Sequence, residues 1–581
     1  MNAIRLIWPW ARPYWHLAAA GSFASVVAVL INLTIPLLTS RIIDEGIAAE
    51  DSSTVLRTAL LMIALIIASM ASSAVASLLG VRFAFHTITD LRRNLYGHVQ
   101  HLSFGNLDRL TSGEILTRLT SDVTKVTSLL SIAVSFVVQI PVSFVGALVA
   151  IVLIDVSLVP IVFVMVPVIG ILVWYVIVRS NVLYDRVQGR LDRLNTVLQE
   201  NIQGAEVIKA FVRQDYEVAR FDDAASDLAD DATLVNQLVA SLFPTLILLS
   251  SLGIVAVLWI GGGNVIDGDL SQGELVAFIQ FMAFIAMPMM FFAFLQPLLS
   301  AAGASMKRIA EVTDEHADVV DATNGKDLPT ASGPLDISFE SVYFHYRADT
   351  AQNDCVLRGV DLHIPGGTTI AILGATGSGK STLVNLIPRF YDASHGCVRV
   401  GGIDVRELNK SSLRRNIGIA LQEPYLFSGS VADNLRFGRP DATDAEIIAA
   451  ATAAQAHDFV VAMEDGYESI IEQGGANLSG GQRQRIAIAR TLVVDPKVLI
   501  FDDSTSAVDL ETEAKIQDIF DSLVDVTVIL VAQRISTALG ADAIVLLDDG
   551  EIAAQGTHAE LLSTSPIYQE IYRSQLGEPV S

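Results

Sequence analysis

Six apolar runs fill the first half of this chain, near residues 16–38, 54–80, 129–154, 157–178, 239–262 and 273–299. Each can cross a hydrocarbon core about 30 Å thick, which takes about twenty apolar residues of helix. Inside such a core the backbone finds no water, so each run has to satisfy its own N–H and C=O groups. That pattern predicts an all-α membrane domain. Composition agrees: 581 residues are too many for one ordinary domain, and 51% hydrophobic residues are too many for a wholly soluble one. Beyond the sixth run the composition is that of a globular protein. The predicted division is a membrane domain over 1–310, a polar linker over 311–334 with Gly, Pro and acidic residues, and a soluble domain over 335–581.

Orientation follows from the segments between the runs. Those after runs one, three and five are short and acidic or neutral, with Asp44, Glu45, Asp155, Asp267 and Asp269; those after runs two and four are long and rich in Arg and Lys. Positive charge inside puts both termini and both long segments in the cytoplasm. The opening stretch, with Trp8, Trp10, Tyr14 and Trp15 among basic residues, reads as an interfacial helix. Residues 104–123 and 194–214 carry apolar residues at helical spacing with a glycine break in each, as amphipathic helices that turn back on themselves would.

The runs hold no deeply placed charge, only sparse polar residues such as Asn32, Gln139, Gln280 and Gln296, so the pattern gives no ion pathway. Run six is rich in Met282, Phe284, Met287, Met289, Met290, Phe291, Phe292 and Phe294, a soft surface suited to amphipathic ligands. A net charge of −25 argues against a nucleic-acid partner. Two cysteines, Cys355 and Cys397, give no disulfide framework.

The soluble half carries Gly374-Ala375-Thr376-Gly377-Ser378-Gly379-Lys380-Ser381-Thr382 between an apolar strand and a helix. Glycines let backbone N–H groups turn around a phosphate, Lys380 reaches the β/γ-phosphates, and the Ser381 hydroxyl can ligate Mg²⁺. Tyr346 ends a strand pattern where an aromatic ring could stack on adenine. The apolar strand 498–502 ends in Asp502, placed to hold Mg²⁺. Between the two, LSGGQ opens a helix at Ser479-Gly480-Gly481-Gln482, a further anion-binding N-terminus.

Six spans with long cytoplasmic extensions, a phosphate loop, LSGGQ and a carboxylate strand together resemble a half-transporter of the ATP-binding cassette (ABC) superfamily, of the exporter type in which membrane and ATPase regions share one chain. The resemblance covers essentially the whole sequence, and GATGSGKST followed by LSGGQ roughly 100 residues later is a specific pairing. It implies an α/β P-loop nucleotide-binding domain of ABC type behind the six-helix membrane domain, and ATP with Mg²⁺ as cofactors. It gives Tyr346 to adenine, residues 374–382 to the phosphates, and Ser381, Gln422 and Asp502 to Mg²⁺. Gln422 also links the nucleotide to the membrane domain, residues 104–123 and 194–214 become coupling helices, and Ser504 to Asp509 form a loop at a dimer interface. Two nucleotide domains then sandwich two ATP molecules, each between one chain's phosphate loop and the other's Ser479-Gly480-Gly481-Gln482. The implied function is ATP-driven movement of an amphipathic or hydrophobic substrate across a lipid bilayer, as an exporter in a bacterial plasma membrane. An importer of the same architecture, of siderophores for example, and a nucleotide-gated or regulatory subunit are the alternatives.

Two catalytic positions depart from the family. Its strand ends Asp-Glu, but here Asp502 is followed by Asp503, a carboxylate withdrawn by about 1.5 Å. A misplacement of that size costs on the order of 100-fold in rate. Its switch histidine is replaced by Gln533, which bonds a phosphate but takes no proton near neutral pH. The site residues that would act on the attacking water are therefore Asp503, Gln533 and Gln422. The combination resembles the degenerate-site subunit of heterodimeric exporters, with a second, different chain supplying the missing groups.

Overall fold

The computed structural model describes residues 2–329, 333–346, 355–504, 512, 514–517, 523 and 525–576, with the side chains of 2–5, 286–290, 292–294 and 296–297 outside that description. Contacts divide the chain into two units, Met1–Gln100 with Ser112–Glu315, and His101–Thr111 with His316–Ser581.

The first unit is helical. Its elements are α1 (Asn2–Ala11), α2 (Trp15–Arg41) and α3 (Ser52–His101), with α4 (Phe104–Arg109) interposed and assigned to the second unit, then α5 (Ser112–Thr117), α6 (Val123–Ile154), α7 (Val159–Gln203), α8 (Ala205–Ala210), α9 (Gln214–Asp267) and α10 (Gln272–Thr313). Among the described residues five helices are long and apolar enough to cross a membrane, covering Leu6–Ile47, Ser52–His101, Ser112–Ile154, Val156–Gln203 and Gln214–Asp267. In the sixth predicted run the helix is continuous, but much of its apolar side-chain pattern lies outside the described residues. At 1.5 Å per residue the 50-residue α3 is about 75 Å long, far more than a bilayer core needs.

Helix ends follow local chemistry. Ser271 caps α10, accepting from Glu274 N at 2.9 Å while the Glu274 carboxylate accepts from Ser271 N, a capping box. Gly204 sits at the break between α7 and α8, as the sequence predicts. In the first long segment the break falls instead at Leu110, extended at φ −101° and ψ 103°, and the glycines 105 and 113 lie inside helices. Long helices then pair side by side: α7 runs along α9, and α6 along α10 and α2. Ion pairs tie the polar ends of α7 and α9, with Arg190 to Asp227 at 2.6 Å and Arg220 to Glu200 at 2.6 Å. The polar residues have local partners too: Asn32 Oδ1 accepts from Ser69 Oγ at 3.0 Å. Met282 is buried in this unit's core, so it is not part of an open methionine surface; Met287, Met289, Met290, Phe292 and Phe294 lie outside the described side chains.

The second unit is α/β. Its six-stranded sheet runs Glu551–Gly556, Ala543–Asp548, Thr369–Leu373, Thr527–Ala532, Val498–Asp502, Ile417–Ala420, all parallel except the first. The central strands are continuous apolar runs because both faces are covered. A four-stranded sheet containing Ile337–Phe344 and Leu357–Ile364 packs over one core cluster. The stretch read as a linker does not hang free: Lys326 N donates to Glu407 O, Asn409 N donates to Lys326 O, and Leu328 is buried in the second unit's core. Cys355 and Cys397 are free thiols.

Candidate nucleotide-binding site

Parallel register builds the site. Leu373 pairs with Ala532, and Asp502 with Val531, so three adjacent strands end level and deliver Gly374, Gln533 and Asp503 to one sheet edge. The carboxyl ends of parallel strands are where such sheets bind ligands. From Leu373 the chain enters the phosphate loop. Gly379, at φ +100°, takes a conformation that a side chain would strain, and a Cβ on Gly374 would stand 2.2 Å from Leu547 O. The helix Lys380–Leu386 then begins with its free N–H groups facing the loop.

Lys380 is buried and its Nζ donates to Gly374 O at 2.9 Å and Ala375 O at 2.8 Å, so the ammonium is held over the loop. Burial pulls its pKa down, against the carboxylates of Asp502 and Asp503. Ser378 Oγ is buried inside the loop without a hydrogen-bond partner. An orphaned donor beside a lysine and a helix N-terminus fits a phosphate oxygen.

Ser381 Oγ donates to Asp502 Oδ1 at 3.0 Å. Burial pushes the Asp502 carboxyl above its usual range, while the Ser381 hydrogen bond opposes it. A hydroxyl and a carboxylate at the mouth of a phosphate loop are hard oxygen donors of the kind Mg²⁺ takes. In the structure Gln422 and Gln533 both meet the next carboxylate through their amide nitrogens: Gln533 Nε2 lies 2.9 Å and Gln422 Nε2 3.2 Å from the same Asp503 Oδ2. Asp503 itself turns sharply, at φ +48°, with its N–H on Val531 O. Burial raises its pKa too.

Tyr346 is 46% exposed, with its hydroxyl 3.0 Å from Thr382 Oγ1. The ring therefore stands at the phosphate loop with surface left to stack on. Ser479 caps the helix Gly480–Val493 and exchanges bonds with Gln482, so this turn's side-chain bonds stay within its own helix. Of the residues 504–509, Ser504 is buried with its Oγ unpartnered, and the others lie outside the described residues.

A family profile for the ABC transporter transmembrane region matches residues 19–289, and one described as ABC transporter matches 357–506. A relative in Bacillus subtilis, the uncharacterized ABC transporter ATP-binding protein YfiB, is 36% identical over 97% of both chains. This chain belongs to the ABC transporter family. Another ABC transporter relative, from Mycobacterium tuberculosis, is 35% identical over 97% of each chain. Among solved structures, a bacterial Atm1-family ABC exporter with ATP bound superposes with a TM-score of 0.81 at 25% identity, covering 97% of this chain and 99% of that one. The ABC chain is thus an integral membrane protein with the exporter-type fold and an ATP-binding domain, a combination that couples ATPase activity to transport.

Sequence reasoning missed three features of this ABC transporter. In the first unit a cavity of about 310 Å³ is lined by Phe136, Gln139, Ile140, Ser143, Ala283, Phe284 and Phe291, which brings one predicted polar residue together with two aromatics of the sixth run. Asp122, fully buried, accepts from Ser305 Oγ at 2.8 Å and from Arg308 Nε at 2.9 Å. In the second unit α4 lies against Phe390 and Tyr391. No sequence motif marks any of these, because each partner comes from a distant segment.

Proposed function

We propose that this chain is one half of an ATP-driven ABC exporter, and that its own ATP site binds nucleotide but hydrolyses it slowly. The observation that carries this reading is Asp503, whose one oxygen, Oδ2, faces the amides of both Gln422 and Gln533. A base for the attacking water needs a carboxylate that reaches the water, and a switch residue needs a group that exchanges a proton. Asp503 turns its short side chain toward two amide donors, and neither glutamine exchanges a proton near neutral pH.

Binding asks less of the site, and the residues for it are present. Tyr346 stacks on adenine, residues 374–382 wrap the phosphates, and Ser381, Asp502 and Gln422 would hold Mg²⁺, whose chemistry there is to neutralise charge between the phosphates. Ser479, Gly480, Gly481 and Gln482 serve the ATP of a second, different chain, which supplies the missing glutamate and histidine at its own site. Two exposed apolar surfaces support such pairing. Ile202 and Phe211 flank α8 at 75% and 73% exposure, and Phe427 stacks on the exposed Phe437 at 4.5 Å beside Tyr425.

Domains of 1–310 and 335–581 joined by 311–334 work by alternating access, with α10 as the sixth span and both termini in the cytoplasm of a bacterial cell. ATP draws the two nucleotide domains together, and the cytoplasmic helices carry that motion to the spans. The cavity around Gln139 and Phe291, apolar with one amide, suits an amphipathic or hydrophobic cargo. The test is ATP hydrolysis by this chain purified alone and with a co-expressed second half-transporter chain. Slow turnover alone and fast turnover in the pair is the expected result; ordinary transporter rates from the chain alone overturn it.

A further inference from the structure

We propose that Tyr391 is a positioning residue that carries occupancy of the base site to helix α4, so that α4 responds to the nucleobase as well as to the phosphates. The proposal rests on the reading of Tyr346 as the base-stacking residue.

Two contacts make the path. The rings of Tyr346 and Tyr391 meet edge to face, centroids 5.3 Å apart and planes at 89°. Tyr391 then donates its hydroxyl to Asp108 Oδ2 on α4 at 2.7 Å. Phe344 closes a three-ring cluster, edge-on to Tyr346 at 4.9 Å and to Tyr391 at 5.6 Å. Edge-to-face rings resist sliding because the positive edge of one sits on the negative face of the other. A purine laid on the open face of Tyr346 fixes that ring, and the cluster passes the restraint to Tyr391.

The other parts of this neighbourhood are anchored, which leaves Tyr391 as the adjustable link. Phe390 and Tyr391 follow a sharp turn at Arg389, whose φ is +52° and whose guanidinium is tied to Asp392 at 2.7 Å. On its far side α4 is pinned by Asn106 Nδ2 to His316 O at 2.8 Å and by Arg109 to Asp318 at 3.0 Å. Phe104 stacks on Phe390 with centroids 4.3 Å apart, so the helix has an apolar seat that does not involve the base site. Phe104 also meets the Tyr391 ring, at 6.2 Å and 54°, and the Tyr391 hydroxyl adds the polar link from α4 toward the ring of Tyr346. Burial and the neighbouring Asp108 carboxylate both raise the Tyr391 pKa, so the hydroxyl remains a donor across the physiological range.

The experiment is amide hydrogen exchange across residues 103–110 of the full-length chain, assembled with its partner, in the presence of Mg²⁺. The probes are ATP and inorganic tripolyphosphate, which has the phosphates without the base. In the unmodified protein ATP slows exchange of these amides by about fivefold or more, a usual size for coupling between sites, and tripolyphosphate does not. Tyr391→Phe keeps the ring and removes the hydroxyl: ATP affinity stays within about twofold, nucleotide-free exchange is unchanged, and the ATP-dependent slowing is lost. Asp108→Asn does the same, and the double variant is no worse than either, as residues acting through one bond require. Full slowing in Tyr391→Phe, or equal slowing by tripolyphosphate, overturns the proposal. Tyr346→Ala separates it from the reading beneath: unchanged ATP affinity there removes the base site itself, whatever Tyr391 does.

Discussion

Gln533 and Asp503 face each other at 2.9 Å, an amide where the family has an imidazole and an aspartate where it has a glutamate. The two departures meet in one hydrogen bond. The short Asp503 side chain accepts from the amide that the Gln533 position offers. Restoring one partner alone leaves the other mismatched. In this chain purified alone, Asp503→Glu and Gln533→His should each raise phosphate release by less than about threefold, and the double variant by about tenfold or more. Steady-state phosphate release checks this; a double variant as slow as the parent would place the limitation elsewhere.

Asp502 gives a pH-dependent expectation. Burial, with the charge of Asp503, raises its pKa in the folded protein above the unfolded value of 3.8. A group raised in this way contributes its full stability below the unfolded value and loses it as pH rises through the folded one. At pH 7.5 the ionised carboxylate therefore weakens the nucleotide-free protein. Asp502→Asn should raise its Tm by about 2–4 °C at pH 7.5 and by less at pH 5, while removing most of the stabilisation by Mg²⁺ and ATP. Thermal melts at the two pH values decide it, and an equal gain at both would contradict the sign.

Asp44 clasps the far ends of two helices. Its carboxylate accepts from Ser271 Oγ at 2.6 Å, Gly273 N at 2.8 Å and Ser40 Oγ at 3.1 Å, joining the turn after α2 to the start of α10. The N-terminus of α10 adds its dipole to that attraction. Asp44→Ala should cost about 2 kcal/mol, in the range of hydrogen bonds to a charged group. Exchange at amides 271–275 should rise and ATP affinity should not change. Unaltered exchange there would mean that the clasp does not hold the two ends together.

The pair Asp122 and Arg308 should behave asymmetrically. Asp122 is fully buried, whereas 41% of the Arg308 side chain is exposed. Breaking a wholly buried pair costs roughly 3–5 kcal/mol, and solvent around Arg308 reduces this to about 2 kcal/mol for Arg308→Ala. Most of the loss is the stranded carboxylate, which Ser305 and Lys125 only partly satisfy. Asp122→Asn with Arg308→Gln should therefore recover more than half of the stability lost by Arg308→Ala. Melting temperatures of the two variants test it, and a double variant no more stable than Arg308→Ala would count against the pair.

Sequence reasoning worked where the physics is local. The phosphate loop was legible because strand, glycines, lysine and helix are contiguous. Five long apolar helices were legible because a bilayer admits little else. The same reasoning gave Asp502 and Ser381 to one site, since both motifs end strands at a sheet's carboxyl edge, and the 3.0 Å bond between them agrees with that placement. It misplaced the break in the first long segment, at a glycine rather than at Leu110. It also counted Met282 in a ligand-suited surface, whereas Met282 is buried in the core, because a methionine's surroundings depend on which helix packs beside it.

The chain alone, then, determined the elements and the residue types each carries: apolar helices, a phosphate loop, and an aspartate and a glutamine at positions 503 and 533. Only the tertiary structure decided which of these meet. Tyr391 and Asp108 are 283 residues apart, Asp44 and Ser271 are 227, and Asp122 and Arg308 are 186. A hydrogen bond reaches about 3 Å and leaves no periodic trace in the sequence. Its existence is set by how two whole elements pack, which is a property of the fold and of no single stretch.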